Sequence, residues 1–213
     1  MAKKVAPIDF EGRLREILGA TPAFGPVPYW LPTGIDLLDW AIGHDGLPCG
    51  RVSEVSGPEG SGKTLIALSA ARECITLGGQ VWYFDVEHGL EEDWVVKNGI
   101  TPNTPQFRVE EPFYIEDALN AVELVVLERK GADTPTLIVY DTIAGGVAKC
   151  DAMEVRGMAA HQVVGKRATL FTDFFKRETM GYLRNSKIIL LFLNHQKMSI
   201  PTGPIRFPRP TTP

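Results

Sequence analysis

Eight consecutive residues, Gly57-Pro58-Glu59-Gly60-Ser61-Gly62-Lys63-Thr64, constrain this chain more than any other feature. They fit G-x-x-x-x-G-K-[ST], a loop whose backbone N–H groups cradle nucleotide phosphates. Residues 51–56 (RVSEVS) alternate like a strand that ends at the first glycine, and residues 65–77 (LIALSAARECITL) read as the helix that follows. Strand, loop and helix in this order gather N–H donors and a helix N-terminus around one anion. The glycines let the backbone turn tightly and approach the phosphates. Lys63 supplies a point charge at the β and γ oxygens, and Thr64 a hydroxyl for Mg²⁺. The whole string is therefore a candidate binding site for a nucleoside triphosphate.

The rest of the chain alternates strand and helix signals around that loop. Strands are expected at 80–86 (QVWYFDV), 106–109, 136–140 (TLIVY) and 187–193 (KIILLFL). Helices are expected at 33–42, 91–98, 114–130 and 161–183, with Ile115, Leu119, Val122 and Val126 on one face of the third. Apolar strands that alternate with helices predict an α/β fold: a mostly parallel central sheet covered by helices on both faces. Ligands of such sheets sit at the carboxyl ends of the strands, where 85–87, 141–142 and 194–195 also fall. Asp141 follows an apolar strand core, the place for an acidic residue that holds the Mg²⁺ shell, with a helix cap as the alternative. Glu87 lies where a carboxylate beside the phosphates orients and deprotonates water, with a plain surface charge as the alternative.

Ahead of this core, residues 9–19 (DFEGRLREILG) place Phe10, Leu14, Ile17 and Leu18 at helical spacing, with Asp9 as N-cap and Gly19 as stop. Residues 20–32 carry Pro22, Pro26, Pro28 and Pro32 and read as an extended linker. A short helix on a stiff tether cannot bury its apolar stripe alone, so it folds back or docks on a neighbouring subunit. The division is 1–30 for this polymerisation helix and linker, and 31–213 for the core.

The net charge of −4 hides an asymmetry. Residues 1–148 hold 11 Lys/Arg against 22 Asp/Glu, a balance of −11, and residues 149–213 hold 11 against 4, a balance of +7. A local basic region is what a nucleic-acid backbone responds to, and a solvated basic helix face is the alternative. Cys49, Cys74 and Cys150 are odd in number and lack C-x-x-C spacing, which speaks against a disulfide framework or zinc site and for a reducing, cytoplasmic setting. No apolar run is long enough to span a bilayer, and MAKKVAPIDF lacks the apolar stretch of a secretory signal.

Six strings in order resemble the RecA-type recombinase core. They are Pro32-Thr33-Gly34-Ile35-Asp36-Leu37-Leu38-Asp39, Gly46-Leu47-Pro48-Cys49-Gly50-Arg51, the 57–64 loop, Asp85-Val86-Glu87-His88-Gly89-Leu90, Leu137-Ile138-Val139-Tyr140-Asp141-Thr142, and Leu193-Asn194-His195-Gln196-Lys197-Met198. Hexameric helicases and circadian-clock ATPases share the early strings; the Asp-x-Glu-His and Asn-x-x-x-Met strings point to the recombinase branch. The resemblance implies a RecA-like P-loop ATPase core with ATP and Mg²⁺ as cofactors. It implies that Glu87 activates water, that Thr64 and Asp141 serve the metal, that Trp94 stacks on adenine and that Glu91 contacts the base. His195 falls where bacterial members carry a glutamine that senses the γ-phosphate, a departure shared with some phage-type relatives; a buried structural histidine is the alternative.

Two segments resemble the family's DNA-binding loops. Residues 144–168 contain Arg156, Lys166 and Arg167, and residues 196–213 contain Lys197, Arg206 and Arg209. The chain ends inside the second, where a family member continues into further strands, so the core is expected to be incomplete at its C-terminal end. The implied function is a DNA-dependent ATPase that forms a helical filament on single-stranded DNA and promotes pairing and strand exchange with duplex DNA. A nucleotide-binding recombination mediator without catalysis and a ring-forming motor are the alternatives.

Overall fold

Period-two alternation sends successive side chains of each strand to opposite faces of one sheet, and a different set of helices dries each face. The computed structural model describes residues 26–149, 163–199 and 209–211, together with Asp9 and Arg13. The elements in chain order are β1 (Trp30–Leu31), α1 (Asp36–Ile42), β2 (Leu47–Pro48), β3 (Arg51–Gly57), α2 (Lys63–Thr76), β4 (Gln80–Asp85), α3 (Glu92–Lys97), β5 (Phe107–Glu110), α4 (Ile115–Arg129), β6 (Thr136–Asp141), α5 (Val163–Phe175), α6 (Thr179–Leu183), β7 (Ile188–His195), β8 (Lys197–Ser199) and β9 (Arg209–Thr211). Five strands form one sheet in the order β3-β7-β6-β4-β5. Every pairing in it is parallel, so all five carboxyl ends lie on one side.

Leu137 and Val139 of β6 and Ile189, Leu191 and Leu193 of β7 face α2, whose Ala67, Ala70 and Ala71 let the helix approach closely. Ile138, Tyr140, Ile188, Leu190 and Phe192 point the other way, into a cluster closed by Leu119, Val122 and Val126 of α4, Phe171 and Phe174 of α5 and Leu183 of α6. Full burial of a Leu, Ile, Val or Phe side chain is worth about 1.5–3 kcal/mol relative to leaving it exposed. The RecA-like α/β architecture expected from the sequence is the one observed.

Four boundaries differ from expectation. The helix expected from Thr33 begins at Asp36, because Ile35 is extended and serves as its N-cap; ahead of it the Thr33 N–H and hydroxyl both donate to the Asp39 carboxylate, at 3.1 and 2.7 Å. The end of the expected linker is a strand, β1, paired antiparallel with β2. The single helix expected over 161–183 breaks after Phe175 into α5 and α6. There the Arg177 guanidinium and the Thr179 hydroxyl both reach the Glu123 carboxylate on α4, and Arg177 also reaches Asn120 at 3.0 Å. That polar anchor turns α6 onto α4, which periodicity alone cannot show. Finally, the expected loop over 196–213 contains a two-stranded antiparallel ribbon, with Lys197 opposite Thr211 and Ser199 opposite Arg209. The helix expected at 9–19 lies outside the described residues except for Arg13, which is helical and whose N–H donates to the Asp9 carbonyl at 3.2 Å.

The Thr179 hydroxyl and then the Arg177 guanidinium hold the Glu123 carboxyl below its ordinary range. Its contribution to stability is thus present above the unfolded value and lost as pH falls through the depressed folded one. Because the group is partly exposed, Glu123→Ala is expected to cost about 1 kcal/mol at neutral pH, read by chemical denaturation, and the deficit is expected to vanish in acid.

Candidate functional site

The carboxyl ends of β3, β4, β6 and β7 deliver five polar side chains to one place. β3 runs into the loop at Gly57, and α2 starts at Lys63 with no acidic residue in its first turn, which leaves its free N–H groups to an anion. Lys63 is buried, 6% exposed, and its ammonium donates to the carbonyls of Gly57 and Pro58 at 3.2 and 2.9 Å. Its third near neighbour is Nδ1 of His195, at 3.2 Å. An ammonium only donates, so Nδ1 accepts and Nε2 carries the proton. Nε2 then donates to the Glu87 carboxylate, 3.1 Å away.

The second half of the site hangs from β6. Asp141 ends that strand, and its Oδ2 accepts from the Thr64 hydroxyl at 3.2 Å and from the buried Tyr83 hydroxyl. Burial pushes the Asp141 carboxyl up, against the pull of the two hydroxyls. Burial, with Asp141 beside it, also raises the Tyr83 hydroxyl well above its ordinary value and keeps it a donor. Asp85 of β4 accepts the Leu90 N–H at 2.8 Å and so shapes the loop that carries Glu87. Thr142 donates its hydroxyl to the Glu87 carboxylate.

Lys63, Thr64, Asp85, Glu87, Asp141 and His195 line a cavity of about 380 Å³ with Glu59, Gly60, Ser61, Gly62, Leu65, Gly89, Leu90 and Trp94. Trp94 is 42% exposed there, an aromatic face open to a planar ligand. Gly60 and Gly62 have φ of +72° and +88°, and a Cβ built on either meets nothing within 4 Å. The loop therefore curls around open space, as a phosphate cradle must. Thr64 and Asp141 set two hard oxygen donors side by side under it. Mg²⁺ takes one or two such groups and completes its shell with water and phosphate oxygens. The donor set fits Mg²⁺ bound together with a triphosphate, and among the described residues no cluster of three metal-ligating side chains competes.

Of the residues singled out from the sequence, Glu59 to Thr64, Glu87, Trp94, Asp141 and His195 converge, and Gly57 and Pro58 turn their carbonyls to Lys63. Glu91 does not join them: it is exposed at the N-cap of α3, outside the cavity lining. Lys166 and Arg167 are half-buried on α5, and Arg167 donates to the Ala144 carbonyl at 3.1 Å. Lys197 pairs with Thr211, and Arg209 with Ser199, in the β8–β9 ribbon. Arg156 and Arg206 lie outside the described residues. Sequence reasoning missed Tyr83 and Thr142. Tyr83 shares the sheet face of Asp85 two residues on and looked like any core aromatic; Thr142 stood inside a quoted string and carried no expected role.

The family model of the RecA N-terminal domain matches residues 29–212. Protein RecA of Desulfovibrio desulfuricans is 35% identical over 182 residues, which is 85% of this chain and 48% of the relative. Protein RecA of Nitratidesulfovibrio vulgaris is 32% identical over 182 residues, with the same coverage, and Protein RecA of Xanthomonas campestris pv. campestris 34% identical over 170 residues, 80% of this chain and 47% of the relative. The chain spans about half the length of the curated relatives it matches.

Because burial raises Asp141, its charged form opposes folding at neutral pH, and that opposition fades as pH falls toward the raised value. Asp141→Asn is therefore expected to raise the melting temperature of the nucleotide-free protein while it weakens Mg²⁺-dependent nucleotide binding. A lower melting temperature with unchanged binding contradicts both halves.

Proposed function

This chain belongs to the RecA family, and on that membership we propose that it is the ATPase core of a DNA-dependent recombination protein that assembles on single-stranded DNA. The observation that carries this reading is the meeting of Lys63, Thr64, Glu87, Asp141 and His195 around one cavity at the strand ends. Lys63 exchanges the Gly57 and Pro58 carbonyls for the β and γ oxygens of ATP. Thr64 and the Asp141 side would hold Mg²⁺, which would supply neutralisation of the charge on the transferred group. Glu87 orients the attacking water and takes its proton. His195 touches both Glu87 and Lys63, so it is placed to register a γ-phosphate between them. Trp94 offers its ring to the adenine, and Glu91 lies one turn before it.

The partners proposed are single-stranded DNA, duplex DNA during pairing, and further copies of the chain. Lys166, Lys197, Arg206, Arg209 and Arg156 supply phosphate contacts without base preference, and Arg167, engaged with the Ala144 carbonyl, is left out of that set. Self-association is supported by a groove of about 670 Å³ between β5 and α4. Trp82, Phe84 and Leu124 line it, and Glu110, Glu111, Asp117 and Glu128 rim it. The stripe Phe10, Leu14, Ile17 and Leu18, flanked by Arg13 and Arg15, has complementary chemistry in a neighbouring copy. Buried free thiols at Cys49 and Cys74, each pushed up to about 12 by burial, suit a reducing cytoplasm.

Two measurements on the full-length protein test the reading. Lys63→Ala is expected to abolish ATP turnover, and Glu87→Gln to keep ATP affinity while turnover falls by ~10²–10⁴-fold. Undiminished turnover in Lys63→Ala overturns the ATPase assignment, and closed rings instead of filaments in micrographs favour the motor alternative. In a salt titration of single-strand affinity, alanine at Lys166, Lys197, Arg206 and Arg209 is expected to flatten the slope by roughly 0.7 per lost contact. Equal slope and intercept for wild type and variant remove these residues from the DNA interface.

A further inference from the structure

The turn after β6 closes directly on Glu87. Val86 N–H donates to the Asp141 carbonyl at 2.7 Å, which extends the β4–β6 pairing to the residue before the carboxylate. Thr142, 1% exposed, gives its hydroxyl to Glu87. Gly145 N–H folds back on the Thr142 carbonyl at 3.0 Å, and this brings Gly145 against the Glu87 stem: a Cβ at Gly145 would stand 2.8 Å from Glu87 Cγ. The two residues thus grip Glu87 at its carboxylate and at its methylene.

The turn is itself pinned from three elements. Ile143 N–H donates to the Leu193 carbonyl of β7 at 2.9 Å. The Val147 carbonyl accepts the Ile115 N–H at the start of α4, at 3.1 Å. The Ala144 carbonyl, between Thr142 and Gly145, accepts from Arg167 of α5 at 3.1 Å. The first two are backbone bonds built into the sheet and the helix start. The third depends on one side chain, and it holds the residue directly before Gly145. Glu87 is 36% exposed and has water for its solvation, so this grip fixes a direction and is not needed to satisfy burial.

We propose that Thr142 and Gly145 are positioning residues that set the carboxylate of Glu87, and that Arg167 keeps their turn in place through the Ala144 carbonyl. The inference rests on the reading of Glu87 as the water-activating base. A general base contributes only within hydrogen-bond reach of the proton it takes, and misplacement by about 1 Å costs on the order of 10²-fold. Arg167 thereby acts on the site from α5 without touching nucleotide.

The test is single-turnover ATP cleavage by the full-length protein with saturating single-stranded DNA, beside binding of a fluorescent ADP analogue. Thr142→Val and Gly145→Ala are expected to slow cleavage by up to ~10²-fold with ADP affinity unchanged. Thr142→Ser is expected to restore most of the rate, because it keeps the hydroxyl. Arg167→Gln is expected to slow cleavage less, again with ADP affinity intact. In a Glu87→Gln background Thr142→Val is expected to add nothing, since a positioned group that is gone cannot be mispositioned. Wild-type cleavage in Thr142→Val and Gly145→Ala, a parallel loss of ADP affinity, no rescue by serine, or full additivity with Glu87→Gln each overturns the proposal. Wild-type cleavage in Glu87→Gln instead overturns the premise about the base, so the two failures are told apart.

Discussion

A buried ammonium surrounded by neutral acceptors is the constraint around which the site is organised. Lys63 is almost fully enclosed, yet its near partners are two carbonyls and one imidazole nitrogen. A buried charge that lacks an ionic partner is costly, and the cost falls when an anion arrives. Carboxylates stand close by but are kept one step away: Glu87 behind His195, and Asp141 behind Thr64. No carboxylate is hydrogen-bonded to the ammonium, which leaves its positive charge open to an anion.

The parallel register makes that proximity possible. Gly57 lies opposite His195, and Asp85 opposite Asp141. The phosphate loop, the imidazole and the acidic residues are therefore ladder neighbours, although they are more than a hundred positions apart at the extremes. A slip of one residue in either pairing would turn a site side chain to the other face. β6 and β7 are buried on both faces, so what opposes a slip is side-chain shape: each face has its own helices and its own complement of buried side chains. Core packing thus fixes the site geometry, although the residues that set the register lie outside the cavity lining.

Residues that announce themselves by type and local spacing were legible in the sequence. The phosphate loop, the acidic strand ends, the strand and helix alternation and the apolar face of α4 all follow from short-range patterns. What escaped depends on partners distant in sequence. The break between α5 and α6 needs Glu123 on another helix, and Thr33 is held outside α1 by its bonds to the Asp39 carboxylate. Tyr83 looked like core until Asp141 was placed beside its hydroxyl. Thr142 and Gly145 gain meaning only because the turn after β6 folds over a loop after β4. Arg167 was expected on a DNA-facing loop by charge, and its guanidinium is engaged with the Ala144 carbonyl.

His195 is where sequence departure and structure meet. Its role in this geometry is to accept from Lys63 on one side and donate to Glu87 on the other. A primary amide would offer the same pair, a carbonyl oxygen and an NH₂ group, so a glutamine and this neutral imidazole are chemically equivalent in such a link. The imidazole therefore joins the phosphate loop to the Glu87 carboxylate through one ring, with no second side chain between them.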